Sequence, residues 1–271
     1  MKPIARYLAG LAVAAGLSAC GTTFQLPVPG DAQNLAATRM FSEARGEAPR
    51  KALSPAAAER RFNRVAARVG PVGKQYCATL MAERKTFDCN VDIGIDREMK
   101  QRNAYFTYQE DKPVIRISTP MLQDSASDDE VAFILSHEYG HLLGRHIEKG
   151  EQQALAGALI LGVITAAASA DAGYYDPSLV NSSMEIGAAA GNRAYSQTYE
   201  LESDTLGTRI AHSAGYDPVK GAKFFARPED ARTAAGKLSF WGTHPPDSMR
   251  LATVLATMEQ IEARVELQKV Q

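Results

Sequence analysis

Apolar residues first recur with helical spacing about sixty residues into the chain. They lie at positions i, i+3, i+4 and i+7, and are Phe62, Val65, Ala66 and Val69. Ser54 and Pro55 precede them as an N-cap and a first-turn proline. The pattern predicts an amphipathic helix that ends at Gly70-Pro71. A second helical stretch is predicted from about Gly73 to Ala82.

Alternation with a period of two then replaces the helical spacing. Val91, Ile93 and Ile95 alternate with polar residues, residues 104–108 are rich in aromatic side chains, and residues 114–117 are apolar. A turn is expected at 110–113, so the three runs predict a small antiparallel sheet. After Pro120 the pattern is helical almost to the end. The predicted fold class is therefore α+β, mostly α.

One of these later helices carries a possible metal-binding motif. Ser127-Asp128-Asp129-Glu130 is typical of a capping box, and the sequence His137-Glu138-Tyr139-Gly140-His141 follows within the helix. Residues four apart on an α-helix differ by about 40° around the axis and about 6 Å along it. Both imidazoles therefore face one way and can bind one zinc ion, while Glu138 lies about 100° away, beside the ion. The alternative is a solvated helix with two unconnected histidines.

A catalytic zinc needs a third protein ligand and one open position. Glu200 and Asp204 are four residues apart in a further helical stretch, and so share a face. Glu200 is the candidate third ligand. Asp204 can accept a hydrogen bond from the ring N–H of a ligating histidine. Glu202 lies off this face and is expected on the surface.

Composition and charge narrow the class of protein only slightly. The 271 residues are 45% hydrophobic and 23% charged, with a net charge of −1. This is ordinary globular composition, and no basic excess points to nucleic acid.

The N-terminus changes the expected location. Lys2, Arg6 and the short apolar run 7–17 predict a secretory signal over residues 1–19. The sequence Leu17-Ser18-Ala19-Cys20-Gly21 is similar to the lipobox of bacterial lipoproteins, which implies an acylated Cys20 and, with Gly21 following, an outer-membrane location. Plain cleavage after Ala19 is the alternative. Residues 20–52 are interpreted as a tether and 53–271 as the folded domain.

Two further cysteines, Cys77 and Cys89, remain in an exported domain, where disulfides persist. A bridge between them is favoured over two free buried thiols.

Two more motifs complete a family pattern. Thr243-His244-Pro245, with Arg250 five residues later, lies near the C-terminus, and Asn103-Ala104-Tyr105-Phe106 precedes the histidine helix. With His-Glu-x-x-His and Glu-x-x-x-Asp, in this order, the chain resembles the gluzincin family of HtpX, BepA, LoiP and the CAAX prenyl proteases, over about residues 54–260. The resemblance implies a zincin-type domain, with Ser203 where the family usually has Ala.

The resemblance also implies roles for these residues. His137, His141 and Glu200 would hold one Zn²⁺, and Glu138 would be the general base. His244 and Arg250 are candidates to stabilise an oxyanion, although His244 could instead approach the metal when no substrate is bound. Asn103, Ala104 and Tyr105 are candidates for an edge strand that takes an extended substrate; the alternative is an ordinary sheet strand. His146 and His212 are expected to be structural or surface residues.

The apolar segment 154–170 is interpreted as a packed or membrane-surface helix, because it is short for a membrane span and rich in alanine. Residues 171–193 would form a loop able to cover the cleft. The chemistry of these residues predicts a zinc endopeptidase, and the resemblance implies an enzyme of the bacterial cell envelope that degrades misfolded or misassembled proteins. The alternative is a zinc-containing chaperone-like assembly lipoprotein without significant proteolysis.

Overall fold

A computed structural model describes residues 21–47, 50–172, 176–194, 196–227, 234, 237 and 239–270. The predicted signal peptide and Cys20 lie outside these residues. The chain divides into two compact units. The smaller unit takes in the residues up to Thr23 and Arg145–Tyr199, and the larger unit takes in Phe24–Gly144 and Glu200–Gln271.

Helices dominate, which confirms the α+β, mostly α fold class. In chain order the elements are α1 Asp31–Arg45, α2 Pro55–Leu80, β1 Asp92–Asp96, β2 Ala104–Gln109, β3 Lys112–Ser118, α3 Thr119–Asp124, α4 Asp128–Gly144, α5 His146–Asp171, α6 Pro177–Ala194, α7 Ser196–Ser213, α8 Pro218–Ala222, a 3₁₀ turn Lys223–Ala226, α9 Phe240–Thr243 and α10 Ser248–Glu262. The boundary between the units falls inside α7, between Tyr199 and Glu200.

The sheet is mixed, so the prediction of an antiparallel sheet is wrong for one strand. Its order is β1-β3-β2, with β3 parallel to β1 and antiparallel to β2. β2 and β3 form a hairpin whose two turn residues, Glu110 and Asp111, both have positive φ, as a tight type I′ connection requires. Alternation, aromatic content and a short apolar run located the three strands correctly. Such patterns carry no information about the direction of one strand relative to the next.

Helix α2 runs through Pro71, although it was predicted to end at Gly70-Pro71. A proline removes one backbone hydrogen bond but kinks a helix more often than it ends it when the outer turns are packed. Here Val65, Val69 and Cys77 are buried on both sides of the proline. Cys77 and Cys89 are joined by a disulfide with a Cα–Cα distance of 5.7 Å, which ties the end of α2 to the segment before β1.

The segment expected to be a tether contains helix α1, which was not predicted. Its buried residues are only Ala37, Met40 and Ala44, so it presents too narrow an apolar stripe to stand out in the sequence. Before α1, the side chain of Phe24 is fully buried, and its N–H donates to Glu202 Oε1 at 2.7 Å. The larger unit therefore begins at Phe24, four residues after Cys20.

The core of the larger unit is centred on α4. Val131 to Leu135 are all fully buried, as are Leu142 and Leu143. This helix is therefore enclosed on all sides rather than amphipathic, and α2, α8 and β2 pack around it.

The smaller unit is built around α5 and α6, which pack along one another. The predicted loop over residues 171–193 is wrong, because α6 occupies 177–194. Among the described residues, α5 is the one helix long and apolar enough to cross a membrane by length and composition.

Candidate metal centre

Helix α4 presents two imidazoles to one point. His137 and His141 are one turn apart, and their Nε2 atoms lie 3.0 Å from each other. The Nδ1 atom of His137 lies 2.9 Å from Asp204 Oδ1. If that nitrogen donates to the carboxylate, the Nε2 atom of neutral His137 is left as a lone pair directed at the cluster.

Helix α7 supplies the carboxylate of Glu200 to the same point. Glu200 Oε2 lies 3.4 Å from His137 Nε2, and Glu200 Oε1 lies 3.5 Å from His141 Nε2. The helices can approach this closely because α4 has a glycine at the contact. A Cβ atom on Gly140 would lie 2.6 Å from the Cα of Ser203.

His244 is the fourth residue of the cluster. It follows α9, and its Nδ1 atom lies 3.0 Å from Glu200 Oε2 and 3.3 Å from His137 Nε2. The ring of Phe240 packs against its imidazole with centroids 4.5 Å apart. His137, His141, Glu200 and His244 each offer a ligand atom, and these atoms all lie within 4.8 Å of one another.

The donor set fits a single zinc ion. Four ligands about 2.0–2.1 Å from a tetrahedral ion lie about 3.4 Å from each other, and the contacts among His137, Glu200 and His244 range from 3.0 to 3.4 Å. These atoms are nitrogen and carboxylate-oxygen acceptors turned toward each other, which is unfavourable without a shared proton or cation. His137, His141, Glu200 and His244 could therefore hold one metal ion.

Arg250 lies behind this cluster rather than in its opening. Its Nε and Nη2 atoms donate to the two oxygens of Asp204 at 2.7 and 2.8 Å. Its Nη1 atom lies 3.3 Å from Glu200 Oε2, and the guanidinium stacks over the ring of Phe225 at 3.9 Å. The bidentate contact and the stacking fix its plane.

The buried charges of the cluster support one another. Burial would lower the pKa of His137, but hydrogen bonds to Asp204 and Glu200 outweigh burial and raise it to about 9. Burial would raise the pKa of Glu200, yet the charges of His244 and Arg250 hold it well below its ordinary value. The carboxylates of Glu200 and Asp204 are therefore ionised at neutral pH, and that of Glu200 can bind a cation.

Glu138 is buried beside the cluster and is not one of its ligands. Burial raises the pKa of its carboxyl group, while His244 and His137 act in the opposite direction. Its Oε1 atom has no hydrogen-bond partner among the described residues and lies 3.5 Å from His244 Nε2. A buried carboxylate oxygen with an unused lone pair is suited to bind a proton or a water molecule.

The predicted substrate strand lies at an edge of the sheet. β2, which begins at Ala104, is the outer strand next to β3, and the backbone of Phe106 hydrogen-bonds to the Glu138 carboxylate. Asn103 just before it is buried, and its Oδ1 atom accepts from the N–H of Ala104. Tyr105 donates its hydroxyl to Asp96 at 2.9 Å. Thus the backbone of β2, rather than these three side chains, adjoins Glu138.

Some residues around the cluster were missed or misjudged from the sequence. Phe225, whose ring lies 5.2 Å from that of His137, carries no polar group that would have marked it. Glu202 was expected on the surface, but it is fully buried and binds the Phe24 N–H, because α7 is enclosed on more than one face. His212 is exposed, and His146 stacks on Tyr199 within the smaller unit; neither joins the cluster.

The sequence of this chain is similar to those of known proteins. The sequence profile of peptidase family M48 matches residues 59–258. The chain is 33% identical to the mitochondrial metalloendopeptidase OMA1 of Arabidopsis thaliana over 104 residues, 38% of this chain and 19% of that protein. It is 30% identical to the metalloprotease LoiP of Escherichia coli over 133 residues, 48% of this chain and 49% of that protein. It is 26% identical to a putative beta-barrel assembly-enhancing protease of Vibrio cholerae, over 45% of this chain and 26% of that protein.

The family profile covers all four residues of the cluster, but the relatives are matched only over part of their length. The chain spans between about a fifth and a half of the length of these three relatives.

Proposed function

Because the chain belongs to peptidase family M48, we propose that it is a zinc-dependent endopeptidase of the bacterial cell envelope that hydrolyses misfolded or misassembled proteins. One observation supports the proposed peptidase activity. His137, His141 and Glu200 converge on one point, and the unpaired carboxylate oxygen of Glu138 lies beside them. A hydrolase needs this combination, because ligands alone do not move protons.

The roles of the side chains follow from their positions. A bound zinc ion supplies Lewis acidity, which polarises a carbonyl group and makes a water molecule a better nucleophile. Glu138 accepts the proton that the attacking water loses and passes it to the nitrogen of the leaving amine. His244 lies on the same side of the cluster as Glu138, with its Nε2 atom 3.5 Å from Glu138 Oε1. Its ring is therefore the proposed donor to the oxyanion of the tetrahedral intermediate. Asp204 orients His137, and Arg250 holds Asp204 and Glu200 in place.

His244 has to turn away before this can happen. In the described conformation its Nδ1 atom is a fourth member of the ligand set. A catalytic zinc keeps one position open for water and substrate. We infer that substrate binding displaces the His244 ring from this position and leaves it able to hydrogen-bond to the reacting carbonyl group.

The substrate class is proposed from the position of β2 as the outer strand of the sheet. An extended peptide that adds to a strand edge is bound through its backbone, with little demand on sequence. Unfolded segments meet this requirement and folded proteins do not. The name of the Vibrio cholerae relative refers to beta-barrel assembly. This name and the predicted acylation of Cys20 support an envelope location at the outer membrane.

The closed ligand set also favours a second candidate function. Four protein ligands are typical of structural zinc, so the chain could be an assembly factor with chaperone-like binding and no significant proteolysis. In that case, the buried Glu138 oxygen that has no hydrogen-bond partner among the described residues is unexplained.

Hydrolysis of unfolded casein by the zinc-loaded protein separates the two functions. The substitution Glu138→Gln keeps the shape of the side chain but removes the base, and we expect roughly a 10²–10⁴-fold loss of rate. Zinc content and thermal unfolding of the variant serve as controls. If the wild-type protein leaves casein intact, and Glu138→Gln envelopes accumulate no protein absent from wild-type envelopes, the assembly function is correct.

A further inference from the structure

Helix α5 turns its largest apolar side chains to solvent. Leu155, Leu159 and Val163 follow one another at intervals of four residues, and Ile160 and Ile164 lie beside them, all exposed. We call these five residues the apolar stripe. The 18-residue window that contains them has a mean hydropathy of 1.7, yet only 22% of it is buried. The core helix of a soluble protein with this hydropathy would be mostly buried.

The contact between α5 and α6 is made by glycines instead of these side chains. A Cβ atom on Gly157 would lie 2.0 Å from the carbonyl oxygen of Gly187, and one on Gly191 would lie 2.2 Å from that of Gln153. In water, two helices usually associate by burying their large apolar residues against each other. Small residues between helices with large apolar residues outside are typical of helices surrounded by lipid.

The other side of the hairpin is polar. Ser178, Asn181, Ser182 and Glu185 are exposed on α6. At 100° per residue they lie on the side of the helix away from Gly187, which faces α5. α6 also exposes Leu179 and Ile186, which lie about 80–100° around the helix from Gly187, at the border of this polar side. The hairpin thus has an apolar side on α5, and α6 has a polar side bordered by these two apolar residues. This arrangement fits a helix pair lying in the membrane interface, because a spanning pair would bury the Glu185 carboxylate in lipid.

The start of the chain brings a lipid to the same helix. Lys149, at the beginning of α5, donates to the hydroxyl of Thr23 at 2.8 Å. Three residues of extended chain reach at most about 11 Å, so an acyl group on Cys20 enters the bilayer within that distance of Thr23. The stripe begins at Leu155, six residues or about 9 Å along the helix from Lys149. This step rests on the proposed acylation of Cys20.

We propose that the apolar stripe of α5 is a second membrane anchor, inserted into the boundary between headgroups and acyl chains of the bilayer that holds the Cys20 lipid. Interfacial helices of this kind bury their apolar face by about 5–10 Å. The stripe adds its own buried apolar area to the membrane binding that the acyl chains of Cys20 provide. The stripe also gives the α5–α6 hairpin a fixed orientation in the membrane, with the polar side of α6 toward the water.

Depth measurements on the full-length acylated protein test this proposal. Val163→Cys places a thiol in the stripe, and Asn181→Cys places a matched thiol on the polar side of α6, about 140–160° around the helix from Leu179 and Ile186. Cys77 and Cys89 form a disulfide and an acylated Cys20 has no thiol, so a thiol-reactive fluorophore labels only the introduced cysteine. The labelled proteins are placed in phosphatidylethanolamine–phosphatidylglycerol vesicles, with and without lipids that carry a quenching nitroxide on the acyl chain.

We expect the label at residue 163 to lose most of its fluorescence to the quencher and to shift to the blue, and the label at residue 181 to change little. Equal quenching of both labels, or of neither, would overturn the proposal. So would a blue shift at residue 163 without quenching in a protein that is dimeric by light scattering, because the stripe would then cover a second copy of the chain.

The readout is independent of the proposed function. It involves no hydrolysis, so a protein that fails to cleave casein can still show a buried stripe. Labelling of the wild-type protein would reveal a free Cys20 thiol and show that acylation has failed. In that case Cys20→Ser is added to each variant, so that only the introduced cysteine is labelled. These proteins, added to preformed vesicles, report the stripe alone, and absence of quenching at residue 163 would again overturn the proposal.

Discussion

Two consecutive helices of this chain reverse the usual distribution of polar and apolar residues. Helix α4 carries His137, Glu138 and three acidic residues in its first turn, yet nearly all of it is buried. Helix α5 has no charged residue from 154 to 170, yet its largest side chains are exposed. A single residue, Arg145 with φ of 57°, separates them. Hydropathy therefore does not predict which of the two is inside.

The difference is explained by what each helix binds. In α4, burial is tolerated because most polar groups have a partner. Two buried oxygens of this helix have no hydrogen-bond partner among the described residues, and they are Ser136 Oγ and Oε1 of the proposed base, Glu138. In α5, exposure is tolerated if the solvent on that side is lipid. In both helices, residues that conflict with an aqueous, amphipathic pattern mark a functional surface.

Removal of the hydrogen bond behind His137 should have the largest effect on the buried helix. Asp204→Asn keeps the size of the side chain but removes the charge that orients the imidazole and binds Arg250. We expect zinc affinity to fall roughly 10–100-fold. Competition with a fluorescent chelator measures the affinity. Glu202→Gln, on the same helix but bonded to Phe24, is the matched control, and an equal loss in both variants would contradict a specific role for Asp204.

Both helices pack through a glycine, so the same substitution can be made in each. Gly140→Ala places a Cβ atom 2.6 Å from the Cα of Ser203, and Gly157→Ala places one 2.0 Å from the carbonyl of Gly187. Overpacking of this kind costs about 1–3 kcal/mol in the free energy of unfolding. We expect both variants to lose stability in chemical denaturation.

Zinc affinity should separate the two glycine variants. Gly140→Ala moves the helix that carries Glu200 away from His137, so it should bind zinc more weakly. Gly157→Ala lies in the unit that holds none of the four ligands, and should bind zinc as the wild type does. A loss of affinity in Gly157→Ala would show that the metal centre depends on the hairpin unit.

How far these features could be predicted from the sequence depends on whether a local pattern specifies them. The i, i+4 spacing of His137 and His141, and of Glu200 and Asp204, fixed a common face in each helix, and the structure brings both pairs to one cluster. The approach of α4 to α7 was not visible, because it depends on the absence of a Cβ at Gly140. The burial of Glu202 was missed for the same reason, since a helix enclosed on two faces has no periodic signal.

The errors in the fold have similar causes. Helix α6 was taken for a loop because its glycines, serines and asparagine are poor helix formers, and its contact with α5 depends on those glycines. The direction of β1 relative to β3 is decided by the connection that passes from β1 to β2, which leaves no pattern in the strand itself. Pro71 is accommodated in α2 by residues far along the chain, such as Tyr139, whose hydroxyl binds the Gly70 carbonyl.

The pH dependence of zinc binding tests the electrostatics of the buried helix. In the metal-free protein the pKa of His137 is raised from 6.5 to about 9, so its charged form stabilises the fold below about pH 6.5 and this contribution is lost as pH rises toward 9. Zinc requires the neutral ring, and each ion must therefore displace a proton. We expect zinc affinity to rise up to about tenfold per pH unit between these values, as measured by calorimetry in buffers of different ionisation enthalpy. An affinity that is flat over this range would show that His137 is already neutral.

The smallest effect is expected on the exposed helix. Leu159→Gln should change the free energy of unfolding of the detergent-solubilised protein by no more than about 0.5 kcal/mol, because the side chain is 52% exposed and makes few contacts to lose. Leu135→Gln, the same substitution at a fully buried position of α4, should cost several times more, because an amide is then buried without a partner. Urea unfolding of the two variants gives the comparison directly. If Leu159→Gln is as destabilising as Leu135→Gln, the stripe is part of a protein core, and the contrast between the two helices is false.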